Sequence, residues 1–155
     1  MTPAINQAKK TGIHYRIHEY SHDPSAESYG LEAAEKLKLD PARVFKTLVV
    51  RLDNRQLAVA IIPVEPQLNM KRVASAARAK KAEMADKKDV ERSSGYVLGG
   101  VSPLGQKKLL PTFLHNSASG LETLFVSAGR RGLEIELSPN DLLSLTKGIM
   151  AELCQ

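Results

Sequence analysis

Along Val44-Phe45-Lys46-Thr47-Leu48-Val49-Val50 the apolar β-formers run almost unbroken. A strand sends successive side chains to opposite faces, so Val44, Lys46, Leu48 and Val50 share one side and Phe45, Thr47 and Val49 the other. A second such run, Gln56-Leu57-Ala58-Val59-Ala60-Ile61-Ile62, follows the turn dipeptide Asp53-Asn54, and the pair predicts an antiparallel hairpin. His14-Tyr15-Arg16-Ile17-His18-Glu19-Tyr20 alternates as a strand and stops before His22-Asp23-Pro24. Leu133-Glu134-Ile135-Glu136-Leu137 alternates cleanly, predicting a core face and a charged face that carries both glutamates. Residues 109–114 and 123–127 read as short strands.

The helical signals are punctuated by caps. Thr2-Pro3 opens a short helix and Gly12 closes it. Leu31, Ala34, Leu37 and Leu39 recur near helical spacing until Asp40-Pro41, and Ser138-Pro139 starts a last helix with Asp141 in its first turn. Alanine, lysine, arginine, glutamate and methionine dominate residues 69–94, which favours helix without fixing whether it is one or several.

At 155 residues the chain fits one domain, residues 1–155, long enough to close a core without staples. Hydrophobic residues make up 43% and charged residues 25%, as in an ordinary soluble protein, and no apolar run approaches a membrane span. The N-terminus has no signal-peptide core, and the only cysteine, Cys154, stands next to the last residue. A cytoplasmic protein without disulfide or metal cluster is expected, with Cys154 poorly held and incidental.

Lys46 changes this bland picture, because a cation in an apolar row must reach a carboxylate, reach water or line a cavity. Charge is also uneven: residues 71–92 carry eight basic side chains against four acids, supplying +4 of the chain's +5. Such a stretch suits a phosphate-bearing partner, or is a solvated face with Glu83 and Asp86 near their lysines. His18-Glu19-Tyr20-Ser21-His22 spells the zinc-protease pattern, but extended residues four apart stand roughly 13 Å from each other, too far to share one metal ion. No nucleophile elbow, P-loop or dinucleotide fingerprint occurs, while a Ser-His-Asp arrangement, recognised by geometry, stays open. Gly99-Gly100-Val101-Ser102-Pro103-Leu104-Gly105 reads as a binding loop or a plain one.

Taken together, Tyr15 through Tyr20, Val44-Phe45-Lys46-Thr47-Leu48, Gly95 through Gly105 and Ser127-Ala128-Gly129-Arg130-Arg131-Gly132-Leu133-Glu134-Ile135 resemble the YbaK family of aminoacyl-tRNA deacylases, related to the editing domain of bacterial prolyl-tRNA synthetase. The resemblance spans nearly the whole chain. It implies an α+β domain whose curved, mixed, mostly antiparallel and barrel-like sheet is wrapped by helices. It also implies a helix near 69–78, a short strand near 81–84 and a helix near 87–93.

Functionally, the resemblance implies release of cysteine from mischarged Cys-tRNA(Pro), and with less discrimination from Cys-tRNA(Cys), beside prolyl-tRNA synthetase, with no cofactor, metal or membrane. The family's lysine matches Lys46 and its G-x-x-x-P loop matches Gly99 to Pro103. Lys46 and the amides of Gly99 and Gly100 would steady the ester, with Tyr20, Tyr29, Thr47, Ser102, Pro103, Ser127 and Glu134 as further substrate-binding residues and Glu136 competing with Glu134. With no dedicated nucleophile in sight, the substrate's own thiol is expected to assist, a route formally lyase-like rather than hydrolytic. An Ala-tRNA(Pro) deacylase and a catalytically idle module docking tRNA or synthetase are the alternatives.

Overall fold

Thr2 and Pro3 act as their positions predict: the Ile5 amide donates to the Thr2 hydroxyl at 3.2 Å, and Pro3 opens α1 (Pro3–Thr11), which Gly12 closes at φ 72°. There follow β1 (Arg16–Glu19), α2 (Tyr29–Lys36), β2 (Phe45–Leu52), β3 (Leu57–Pro63), α3 (Met70–Ala76), β4 (Ala82–Met84) and α4 (Lys87–Ser94). The order closes with β5 (Thr112–His115), β6 (Leu124–Arg130), β7 (Leu133–Leu137), α5 (Pro139–Thr146) and β8 (Ile149–Ala151). The computed structural model describes residues 1–26 and 28–155.

The central hairpin forms as its pattern requires. Lys46 lies opposite Ile62 and Thr47 opposite Ile61 in the antiparallel β2–β3 pair. Phe45, Val49, Val59 and Ile61 bury themselves in one core, and Val50, Ala58, Ala60 and Ile62 in another across the sheet. Both faces of the hairpin are therefore covered, which is why its sequence reads as a nearly continuous apolar run rather than a half-polar one.

The architecture is α+β, but the expected single barrel-like sheet is two sheets. One has the order β1-β7-β6, all antiparallel; the other has the order β4-β2-β3-β5-β8, with β3–β5 and β5–β8 parallel. Among the described residues a lone parallel bridge, Val44 to Phe125, joins them, and they do not close. Phe125 fills this seam, with His18 edge-on at 5.1 Å and the Arg43 guanidinium 5.0 Å from its ring centre. No described helix is long and apolar enough to cross a membrane.

The basic segment resolves as the family resemblance implies, into α3, β4 and α4. Asn69 caps α3 by accepting the Lys71 and Arg72 amides. The C-terminal segment was not legible. β8 extends the larger sheet, Leu153 is fully buried, and Cys154 pairs with Leu68 in an antiparallel bridge. Cys154 is thus a packed core residue, not a loosely held one, because the strand before it anchors the chain end.

Removing the seam should be costly: Phe125→Ala is expected to destabilise the fold by about 3–5 kcal/mol in urea unfolding, with a much smaller loss for Phe125→Leu, which keeps the volume near that of the native side chain.

Candidate functional site

Beyond the Val44–Phe125 bridge the two sheets part, and the gap between them is a cavity of about 470 Å³. β4 pairs only with Val50 to Leu52, so the β2 edge from Phe45 to Leu48 has no strand partner among the described residues on that side. The Ala85 amide donates to the Val49 carbonyl, whereas Val64 donates to Val44 on the β3 side. Backbone groups alternate along a strand, so Thr47, in phase with Val49, aims its N–H and C=O into the gap. The Thr47 hydroxyl is also a buried polar atom without a hydrogen-bond partner among the described residues, a costly state.

Facing Thr47 across the gap is β7. Glu134 is 7% exposed, lines the cavity beside its cross-strand neighbour Ser127, and has no hydrogen-bond or ion-pair partner among the described residues. Burial pushes its carboxyl up to about 8, so it holds a proton at neutral pH. Glu136, two residues on along the same face, goes the other way. Despite partial burial, it accepts from Thr123 and His18 and pairs with Arg43 at 3.4 Å, which holds it below the usual carboxylate range. The shared face is not a uniformly charged solvent face, as alternation suggested, because the larger sheet and the loops cover the Glu134 end. Tyr20 also lines the cavity; burial and the neighbouring Glu134 push its phenol up to about 12, leaving it a protonated donor.

Lys46 borders the cavity but points from the face of Leu48 and Val50. Its charge is felt on that side by Cys154, whose thiol burial pushes up and Lys46 pulls back down. The ammonium enters no ion pair among the described residues, so its four-carbon stem leaves it free to reach an anion in the cavity.

The glycine loop divides. Gly99 lines the cavity at φ 94°. Gly100, Ser102 and Pro103 do not line it. The Gly100 amide donates to Val97 at 2.9 Å, and a side chain there would meet the Arg130 Cα at 2.9 Å, so this glycine serves close packing rather than an open oxyanion hole. Ser102 is fully buried and caps the turn by accepting the Leu104 amide. Pro103 lies on a small separate hollow beside Gln7. Tyr29 does line the cavity, from the first turn of α2.

Sequence reasoning missed Arg130, Arg131 and Lys87, all of which line the cavity. The signal was present in the Gly129-Arg130-Arg131-Gly132 turn, whose two arginines sit just before the strand that carries Glu134. With Lys46 they give four cations free of ion pairs among the described residues, against one lining acid that is neutral at pH 7. No histidine or cysteine lines the cavity. His18 and His22 turn to Glu136 and Glu32, and no described group of three His, Cys, Asp or Glu could hold a metal ion. The basic stretch leads to the same place: Glu83 and Asp86 pair with Arg51 rather than with nearby lysines, leaving Lys80, Lys81, Lys87 and Lys88 around β4 without an ion pair among the described residues.

Residues 23–145 match the model of the aminoacyl-tRNA editing domain family. An Enterococcus faecalis protein named "Putative Cys-tRNA(Pro)/Cys-tRNA(Cys) deacylase EbsC" is 40% identical over 155 residues, covering 98% of this chain and 92% of that one. YwhH of Bacillus subtilis is 27% identical over 111 residues, covering 72% of this chain and 70% of its own length. A crystal structure described as that of "a putative trans-editing enzyme for prolyl tRNA synthetase" superposes with a TM-score of 0.84 at 20% identity, covering 100% of this chain and 99% of that one, a likeness of fold.

Because the folded state holds the Glu134 proton far more tightly than the unfolded chain, stability should fall as pH rises from the ordinary carboxylate range to about 8. Glu134→Gln, which mimics the neutral acid, should flatten that slope and stabilise the protein at pH 7 by on the order of 2–3 kcal/mol. Urea unfolding between pH 4.5 and 8.5 reads both effects; parallel curves for the two proteins would show that Glu134 ionises freely.

Proposed function

The chain belongs to the aminoacyl-tRNA editing domain family, and from that premise we propose that it is a trans-acting deacylase which strips cysteine from tRNA(Pro), and from tRNA(Cys) with less discrimination. The observation that carries this reading is the pairing, in one cavity, of a buried neutral acid with unpaired cations at its rim. An aminoacyl-tRNA brings a compact ester and a trail of phosphodiesters, and these two features ask for such a division.

The chemistry follows from what lines the gap. No histidine or cysteine is available there as base or nucleophile, so the substrate's thiol supplies the attacking sulfur. A free thiol titrates at about 8.5, close to Glu134, and matched pKa values favour proton transfer. The minor fraction of Glu134 that is ionised at neutral pH takes the thiol proton. The sulfur–carbonyl bond forms, the ester C–O bond breaks, and the proton passes to the departing 3′ oxygen of the tRNA. Water then opens the cyclic thioester to give cysteine. Thr47 donates to the developing oxyanion from its edge-facing amide, and Lys46 supplies positive charge to it or to an adjacent phosphate. Tyr20, Tyr29, Gly99 and Ser127 wall the amino acid. Prolyl-tRNA synthetase is the natural partner, supplying tRNA identity in the cytoplasm where charging occurs.

Purified protein should free tRNA from Cys-tRNA(Pro) much faster than from Ala-tRNA(Pro), because alanine has no thiol. Lys46→Ala and Glu134→Gln should each lower turnover by about 100-fold. Faster release of alanine would overturn the thiol route in favour of an Ala-tRNA(Pro) deacylase, and tight tRNA binding with no release of either amino acid would make the protein a docking module.

A further inference from the structure

The Arg131 guanidinium lies 3.9 Å from the centre of the Tyr29 ring. Gly99 abuts the edge of this stack, where an added Cβ would stand 2.7 Å from Nη2 and 2.8 Å from Nε of Arg131, and 2.8 Å from Cε2 of Tyr29. The guanidinium and the Tyr29 ring thus fill the space that a side chain at 99 would need, and the φ of 94° favours glycine there as well. Tyr29 is itself held. His22 packs edge-on against its ring at 5.7 Å, and Glu32 fixes His22 through Nδ1 at 2.7 Å while accepting the Asp23 amide at 2.7 Å. Three separate elements thus converge to hold one cation flat at the cavity mouth.

We propose that Arg131 is the phosphodiester anchor of the site, taking the phosphate next to the aminoacylated terminal nucleoside. A stacked guanidinium keeps its N–H donors in one plane with their edge outward, a fork that fits two oxygens of a phosphate. No carboxylate occupies that fork among the described residues, although ion pairs are made elsewhere on the surface. The depth ordering fits as well. Arg131 is exposed at the rim, whereas Glu134 is buried inside, so a nucleotide entering acyl end first leaves its phosphate at the mouth. An esterified amino acid has lost its own carboxylate, which leaves the phosphodiester as the substrate's anion. The inference rests on the editing reading for the identity of the ligand, but the anion site is read from the stack alone.

The test uses the uncharged trinucleotide 5′-CCA-3′ and, as a phosphate-free control, adenosine, titrated into the full chain at several salt concentrations. Arg131→Ala should bind the trinucleotide about tenfold more weakly, with its log–log salt slope shallower by roughly 0.7 and its adenosine affinity unchanged. Arg131→Lys should fall between, since an ammonium keeps the charge without the planar fork, and Arg16→Ala, a cation outside the cavity, should match the wild type. Wild-type trinucleotide affinity and salt slope in Arg131→Ala, equal losses for both ligands, or no trinucleotide binding by the wild type would each overturn the assignment. Failure of the wild type to deacylate any aminoacyl-tRNA would strike the editing reading alone, whereas an Arg131-independent trinucleotide complex would strike the phosphate site alone.

Discussion

The structure depends on two sheets that share one hydrophobic core yet part at the edge of β2. Among the described residues one backbone bridge, Val44 to Phe125, joins them, and beyond it β2 and β6 diverge before β4 closes the far end of the β2 edge. Unsatisfied strand edges inside a protein are expensive. Their survival here between two well-packed cores is what makes the gap a site rather than a packing defect. Thr47 is the sharpest expression of this, since its buried hydroxyl has no hydrogen-bond partner among the described residues.

The same division explains the electrostatics. Glu134 and Glu136 are chemically identical and share a face, yet one is kept neutral by burial and the other ionised by His18, Thr123 and Arg43. The partnered glutamate fastens β7 to β1 and the seam, and the unpartnered one is left to react. Four cations then border a cavity whose only acid among the described residues carries no charge at neutral pH. Leaving that imbalance uncompensated costs stability, the usual signature of a site adapted to a ligand rather than to folding.

Much of the fold could be read from periodicity. Alternation in β2 put Phe45 and Val49 on one face and Leu48 and Val50 on the other, as they pack, and the caps at Thr2, Ser138 and Gly12 placed the helix ends. What alternation could not supply was which polar positions the other sheet would cover. Glu134 and Glu136 look alike in sequence because burial at β7 is decided by the β2 edge, some ninety positions earlier in the chain. Gly100 was read as an open amide when its N–H is spent on Val97, a local turn that no residue pattern distinguishes from an oxyanion loop. Arg131 escaped notice for a related reason, since its stack on Tyr29 joins segments far apart in sequence. β8 is three residues long, too short for a pattern to register.

The account is tested most directly by following the Glu134 side-chain carboxyl carbon by NMR through a pH titration of the isotopically labelled protein. A midpoint near 8 is the result that a buried, unpartnered acid at the parting of the sheets requires. A midpoint between about 4 and 5, the range of an ordinary solvated glutamate, would mean that water or an unrecognised partner satisfies the group, and the division of labour between acid and cations would not hold.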